Sequence, residues 1–94
     1  MSGGHFEYRQ YNINVIADEI QELIDNNGVY NKEWDETIEY SDEEIEVFRT
    51  AIVKLREAYV YAQRIDWYVS GDDGEDSFKE RLSEDLEKLK DDIN

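Results

Sequence analysis

From Asn12 onward, Ile13, Ile16, Ile20, Leu23 and Ile24 return at steps of three and four, while Asp18, Glu19, Gln21, Glu22 and Asp25 fill the positions between them. This is the period of an amphipathic helix. Asn27 and Gly28 predict its end near Asn26, because both residue types tolerate the left-handed backbone that closes a helix. Between residues 28 and 40 the period is lost, and Val29, Tyr30, Trp34, Ile38 and Tyr40 are spread too widely for one helical stripe. The pattern predicts a long ordered loop with a short extended segment at Thr37 to Tyr40. Its aromatic side chains are expected to pin it to the core, since an unanchored loop of that length is uncommon in a compact domain.

Ser41-Asp42-Glu43-Glu44 has the spacing of a capping box, in which the Ser41 hydroxyl accepts from the Glu44 amide and the Glu44 carboxylate reaches back. Three acids in the first turn suit the positive end of the helix dipole. Ile45, Phe48, Ile52, Leu55, Tyr59, Ala62 and Val69 then follow one seam, and Val47, Ala51, Ala58 and Ile65 widen it. No breaker intervenes before Ser70-Gly71, so this helix has about 28 residues and a length of roughly 40 Å at 1.5 Å per residue. A stripe that long needs a cover, either two shorter helices end to end or a second copy of the chain. After Asp72-Asp73-Gly74, Phe78, Leu82, Leu86, Leu89 and Ile93 make a narrow third stripe at near-heptad spacing. The predicted fold is all-α: a three-helix bundle of a short, a long and a medium helix, with an ordered aromatic loop between the first two.

At 94 residues the chain has room for one domain, 1–94, with one modest core. Its apolar content of 39% is low, but two Trp, seven Tyr and three Phe supply large side chains, which argues for a folded domain over a disordered acidic tail. Cysteine is absent, which excludes disulfides, thiolate metal sites and a cysteine nucleophile, and fits a reducing cytoplasm. No apolar run approaches the roughly 18 residues of a membrane span, and the first residues lack the basic and apolar regions of a signal peptide.

Charge changes the picture most. Twenty-five carboxylates against ten Lys and Arg leave a formal net charge of -15. From Gly71 onward there are ten acids and four bases, so the excess is spread along the chain and not confined to a tail. Such a field repels nucleic acid and anionic membranes and attracts the basic grooves of proteins that hold nucleic acid.

Specific chemistry is sparse. Asp72-Asp73-Gly74-Glu75-Asp76 places four carboxylates in five residues, but the alternating ligands and distal Glu of a calcium loop are missing. A turn and N-cap for the last helix, with Asp73 or Asp76 accepting backbone amides, is the expectation there. The single histidine, His5, excludes a multi-histidine metal site. His5, Tyr8, Tyr11, Arg64 and Trp67 form a candidate ligand pocket, in which stacked rings and a guanidinium would hold a nucleobase or nucleotide. The plainer alternatives are that Phe6 and Tyr8 fold back as a lid and that Arg64 satisfies Asp66, Asp72 or Asp73. Phosphate-binding glycine loops, a Gly-x-Ser-x-Gly elbow and a His-Glu-x-x-His pair are absent. No enzyme, cofactor or metal is expected.

Met1-Ser2-Gly3-Gly4-His5-Phe6-Glu7-Tyr8 and Ile65-Asp66-Trp67-Tyr68-Val69-Ser70-Gly71-Asp72-Asp73-Gly74-Glu75-Asp76-Ser77-Phe78, with Tyr61 to Arg64, resemble a family of small uncharacterised proteins carried by phages and prophages. The segment from Asn31 to Glu39 is peculiar to this chain. The resemblance implies a mobile-element protein acting in a bacterial cytoplasm. With the charge, it leads to the expectation of a non-enzymatic interaction protein that inhibits a host protein with a basic nucleic-acid-binding surface, such as a CRISPR or restriction nuclease, by mimicking nucleic acid. Glu43, Glu44, Asp72, Asp73, Asp76, Glu80, Glu84 and Asp85 are the candidate contacts on exposed helix faces. The alternatives are a nucleotide-signal binder using the aromatic and arginine cluster, and a homo-oligomeric structural protein, such as a dimer through the long helix.

Overall fold

The computed structural model describes residues 4–71 and 73–93, without the side chains of 92 and 93. Three helices account for most of it: α1 Tyr11–Asp25, α2 Asp42–Val69 and α3 Glu75–Ile93, with two-residue strands β1 Tyr30–Asn31 and β2 Glu36–Thr37 between the first two helices. The all-α, three-helix architecture with the middle helix longest is therefore the fold.

The helix ends lie where the local chemistry puts them. Asn26 caps α1, its amide bonding back to the Glu22 carbonyl at 2.9 Å, and Gly28 turns the chain away at φ +76°. The Ser41 hydroxyl accepts the Glu44 amide at 3.1 Å, and α2 runs its 28 residues from there.

The segment between α1 and α2 departs from expectation. The extended residues are Tyr30–Asn31 and Glu36–Thr37, paired antiparallel as Tyr30 with Thr37 and Asn31 with Glu36, not a single stretch at Thr37 to Tyr40. Asn31 builds the turn by accepting the amides of Glu33 (2.9 Å) and Trp34 (3.3 Å), an Asx-type arrangement that lets Asp35 adopt φ +51°. Two of its three aromatics do not pin it to the core: Trp34 is 71% exposed, and the Tyr30 hydroxyl bonds to the neighbouring Asp35 carboxylate, which raises the Tyr30 pKa. The anchor is Tyr40, whose ring meets Phe48 at 4.9 Å and whose amide donates to Asn27 Oδ1 at 2.7 Å.

Both flanking helices lie antiparallel to α2. Tyr11 meets Tyr59, and Asn14 and Asp18 reach Arg56, on the α1 side. Tyr68 stacks on Phe78, and Arg64 pairs with Asp85, on the α3 side. Among the described residues α1 and α3 each pack on α2 and not on each other, so the bundle is open. The molecule measures 53 × 27 × 15 Å with a radius of gyration of 17.0 Å. A compact chain of this length has about 12 Å. The core is correspondingly thin, with Ala17 and Ile45 the buried apolar residues among those described. Val47, Ala58 and Ile65, which the sequence pattern adds to the buried stripe of α2, are exposed on its far side, and Ala51 beside them is half-buried.

Candidate functional site

The outer face of α3 carries the most regular charge in the molecule. Asp76, Glu80, Glu84, Glu87 and Asp91 are all exposed, at spacings of four, four, three and four residues. That rhythm keeps them on one side of a helix, opposite Phe78, Leu82, Leu86 and Leu89, which are half-buried. The row spans about 22 Å at 1.5 Å per residue. Two nearby cations are drawn aside: Lys79 pairs with Glu75 (3.2 Å) and Arg81 with Asp73 (2.6 Å).

The other predicted contact acids divide into groups. Glu43 and Glu44 are exposed in the first turn of α2, about 40 Å along that helix from the turn into α3. Asp72 lies outside the described residues. Asp73 and Asp85 do not stand free as expected. The Asp73 side chain is 2% exposed and accepts from Arg81, and its other oxygen lies 3.8 Å from Arg64. Asp85 accepts Arg64 Nε at 2.6 Å. These two acids hold the α2–α3 corner together, and Asp73 therefore serves as an ion-pair partner where an N-cap is anticipated.

Arg64 also lies 4.7 Å from the centre of the Trp67 ring, so guanidinium and indole do come together. The remaining members of the predicted pocket are engaged elsewhere. Tyr8 stacks on Tyr11, which continues to Tyr59, and burial together with the Tyr11 phenol pushes the Tyr59 pKa up. The His5 ring packs edge-on to Phe6. A cleft of about 730 Å³ opens instead between α1 and α3, with Ile52, Val53 and Val60 of α2 as its floor, and none of the five predicted residues lines it. Among the described residues no three His, Asp or Glu side chains converge as a metal site would require, and no helix is long and apolar enough to cross a membrane.

Asp66 is the site residue that the sequence pattern passes over. Its side chain is wholly buried and accepts the backbone amides of Gly4 (3.1 Å), His5 (2.6 Å) and Phe6 (3.3 Å) and the amide of Gln10 (3.1 Å). Gln10 in turn donates to Gln63 at 2.7 Å. Burial alone would raise the Asp66 pKa, but the four donors outweigh it and hold the carboxyl below the ordinary value. Residues 4–6 are thus fastened to the end of α2 by successive amides around an anion, with Gly4, Glu7 and Tyr8 at positive φ to make the wrap. One signal was available: the seam Ile45, Phe48, Ile52, Leu55, Tyr59, Ala62 steps next to position 66, so an aspartate occupies a core position. The N-terminal segment and the C-terminal part of α2 meet at this carboxylate.

No family model matches the chain, and neither a curated protein nor a solved structure shows significant similarity to it.

Proposed function

We propose that this chain is a non-enzymatic interaction protein of phage or mobile-element origin that occupies the basic, nucleic-acid-binding surface of a host protein, with a defence nuclease of the CRISPR or restriction kind as the fitting class. The observation that carries it is the row of five carboxylates along the outer face of α3. They follow one another at about 5–6 Å of axial rise, against one phosphate per 3.4 Å along a single DNA strand. The row therefore offers a basic groove somewhat more than half of one strand's charge, on a rigid helix. Arg81 and Lys79 are occupied by acids outside the row, so the cations left beside it are Lys88 and Lys90 at its C-terminal half.

The nucleotide-binding alternative has less support. Its guanidinium, Arg64, is already shared between Asp85 and Asp73, so a ligand phosphate would have to displace a 2.6 Å ion pair.

Mimicry predicts capture of a nucleic-acid-binding protein from a bacterial lysate at low salt, and competition between this chain and DNA for it. Affinity should fall steeply between about 50 and 200 mM salt, as it does for phosphate contacts. The combined variant Asp76→Asn, Glu80→Gln, Glu84→Gln, Glu87→Gln should lose the partner while keeping its melting temperature, because all four side chains are exposed. Binding that survives these changes would rule the acid row out as the contact.

A further inference from the structure

The outer stripe of α2, opposite the helices that pack on it, has an unused apolar pattern. Val47, Ala51, Lys54, Ala58, Tyr61 and Ile65 succeed one another at steps of four, three, four, three and four, the alternation of the two seam positions of a coiled coil. Val47 is 65%, Tyr61 45% and Ile65 37% exposed. None of the 25 carboxylates falls on these positions, and Lys54 is their one charge.

The surface area is large enough to accommodate a further contact. A compact monomer of 11.2 kDa exposes about 5,700 Å². This chain exposes 7023 Å², an excess of about 1,300 Å². Each partner in a standard protein interface buries about 800 Å².

We propose that the occupant is a second copy of this chain, and that the two α2 helices pair antiparallel about a two-fold axis through position 56. In that register Val47 of one copy faces Ile65 of the other, Ala51 faces Tyr61, and Lys54 faces Ala58. Each of the two larger side chains thus meets an alanine, the small-against-large matching of a packed seam, and the contact is isologous because every pairing occurs twice. The Lys54 stem crosses Ala58 with its ammonium within reach of the other copy's Glu57, so the one charge on the stripe is met. A parallel pair would instead oppose Lys54 to Lys54 and alanine to alanine. The absence of acids on the stripe is what lets two chains of -15 approach along it. The acid row of α3, which faces away from α2, remains free, so this contact and the proposed host-protein contact stand or fall separately.

Sedimentation equilibrium of the full chain at about 50 μM should give twice 11.2 kDa. Ala58→Glu puts an acid into the seam at an exposed helical position and should give 11.2 kDa with unchanged helicity. Ile16→Glu, on the exposed side of α1, should leave the dimer intact. Introduced cysteines report the register in this cysteine-free chain. The double variant Ala51→Cys, Tyr61→Cys should form a covalent dimer on mild oxidation and Ala51→Cys alone should not, since antiparallel pairing separates the two copies of position 51 by about 15 Å, beyond the roughly 7 Å limit of a disulfide. A monomeric wild-type chain, a dimeric Ala58→Glu variant, a monomeric Ile16→Glu variant, or cross-linking of the Ala51→Cys single variant would each overturn the proposal.

Discussion

At position 66 the seam of α2 presents an aspartate where its three-four rhythm calls for an apolar side chain, and the cost of burying that charge is met by four hydrogen-bond donors from the N-terminal segment. Charge-assisted bonds of this kind are the stronger class. Asp66→Asn keeps the shape but removes the charge, so amide exchange at His5 and Phe6 should become about ten- to hundredfold faster, the factor set by one such bond. The pH dependence has a definite sign. Because the folded-state pKa lies below the ordinary carboxyl value of about 3.9, the attachment is fully present above about pH 4 and is lost as pH falls through the lower folded value. Exchange protection followed from pH 5 to pH 2 should show this loss in the wild-type chain and lack it in Asp66→Asn. The contact is not legible in the sequence because its donors are backbone amides, which every chain has. The aspartate at a core position is visible there, whereas the glycine and left-handed turns that bring Gly4 to it are not.

The elements themselves are legible where local chemistry decides them. The Ser41 cap, the 28-residue α2 and the stop at Gly28 all follow from contacts within a few residues. Ser41→Ala should therefore cost about 1 kcal/mol in urea unfolding, with extra exchange confined to the first turn of α2. The hairpin lies elsewhere than its pattern suggests because Asn31 carries the turn through two side-chain hydrogen bonds, a device that looks like any polar residue in a loop. Composition assigns its aromatics to the core, yet Trp34 is exposed because α3 packs against the other part of α2 and, among the described residues, makes no contact with the hairpin strands. The same geometry explains the candidate acids. Asp85 stands in step with Phe78, Leu82 and Leu89, so the helical period places it on the packed side, away from Asp76 and Glu80. Asp73, in the turn, carries no such mark, since its burial by Arg64 and Arg81 depends on the angle at which α3 returns along α2.

For the molecule as a whole, the two proposed contacts respond oppositely to salt. A carboxylate row in a basic groove weakens as ions screen it, over a Debye length of about 10 Å at 0.1 M. Pairing of two chains of -15 through an apolar, acid-free seam works against their mutual repulsion, and screening relieves that repulsion. Raising salt from about 0.05 to 0.5 M should thus tighten the dimer by about tenfold while releasing the host partner. Sedimentation at the two salt concentrations, run beside partner capture, reads both effects on the same preparation. A dimer that loosened with salt would mean that the copies meet through charge, with acids of one chain against bases such as Arg49, Arg56 and Lys88 around the α1–α3 cleft of the other. That contact would compete with the host protein for the same carboxylates. A dimer that tightens leaves every acid of the α3 row available and presents the row twice, so a host nuclease with two equivalent basic grooves would be held by both copies at once, with avidity set by the spacing that the α2 pair imposes.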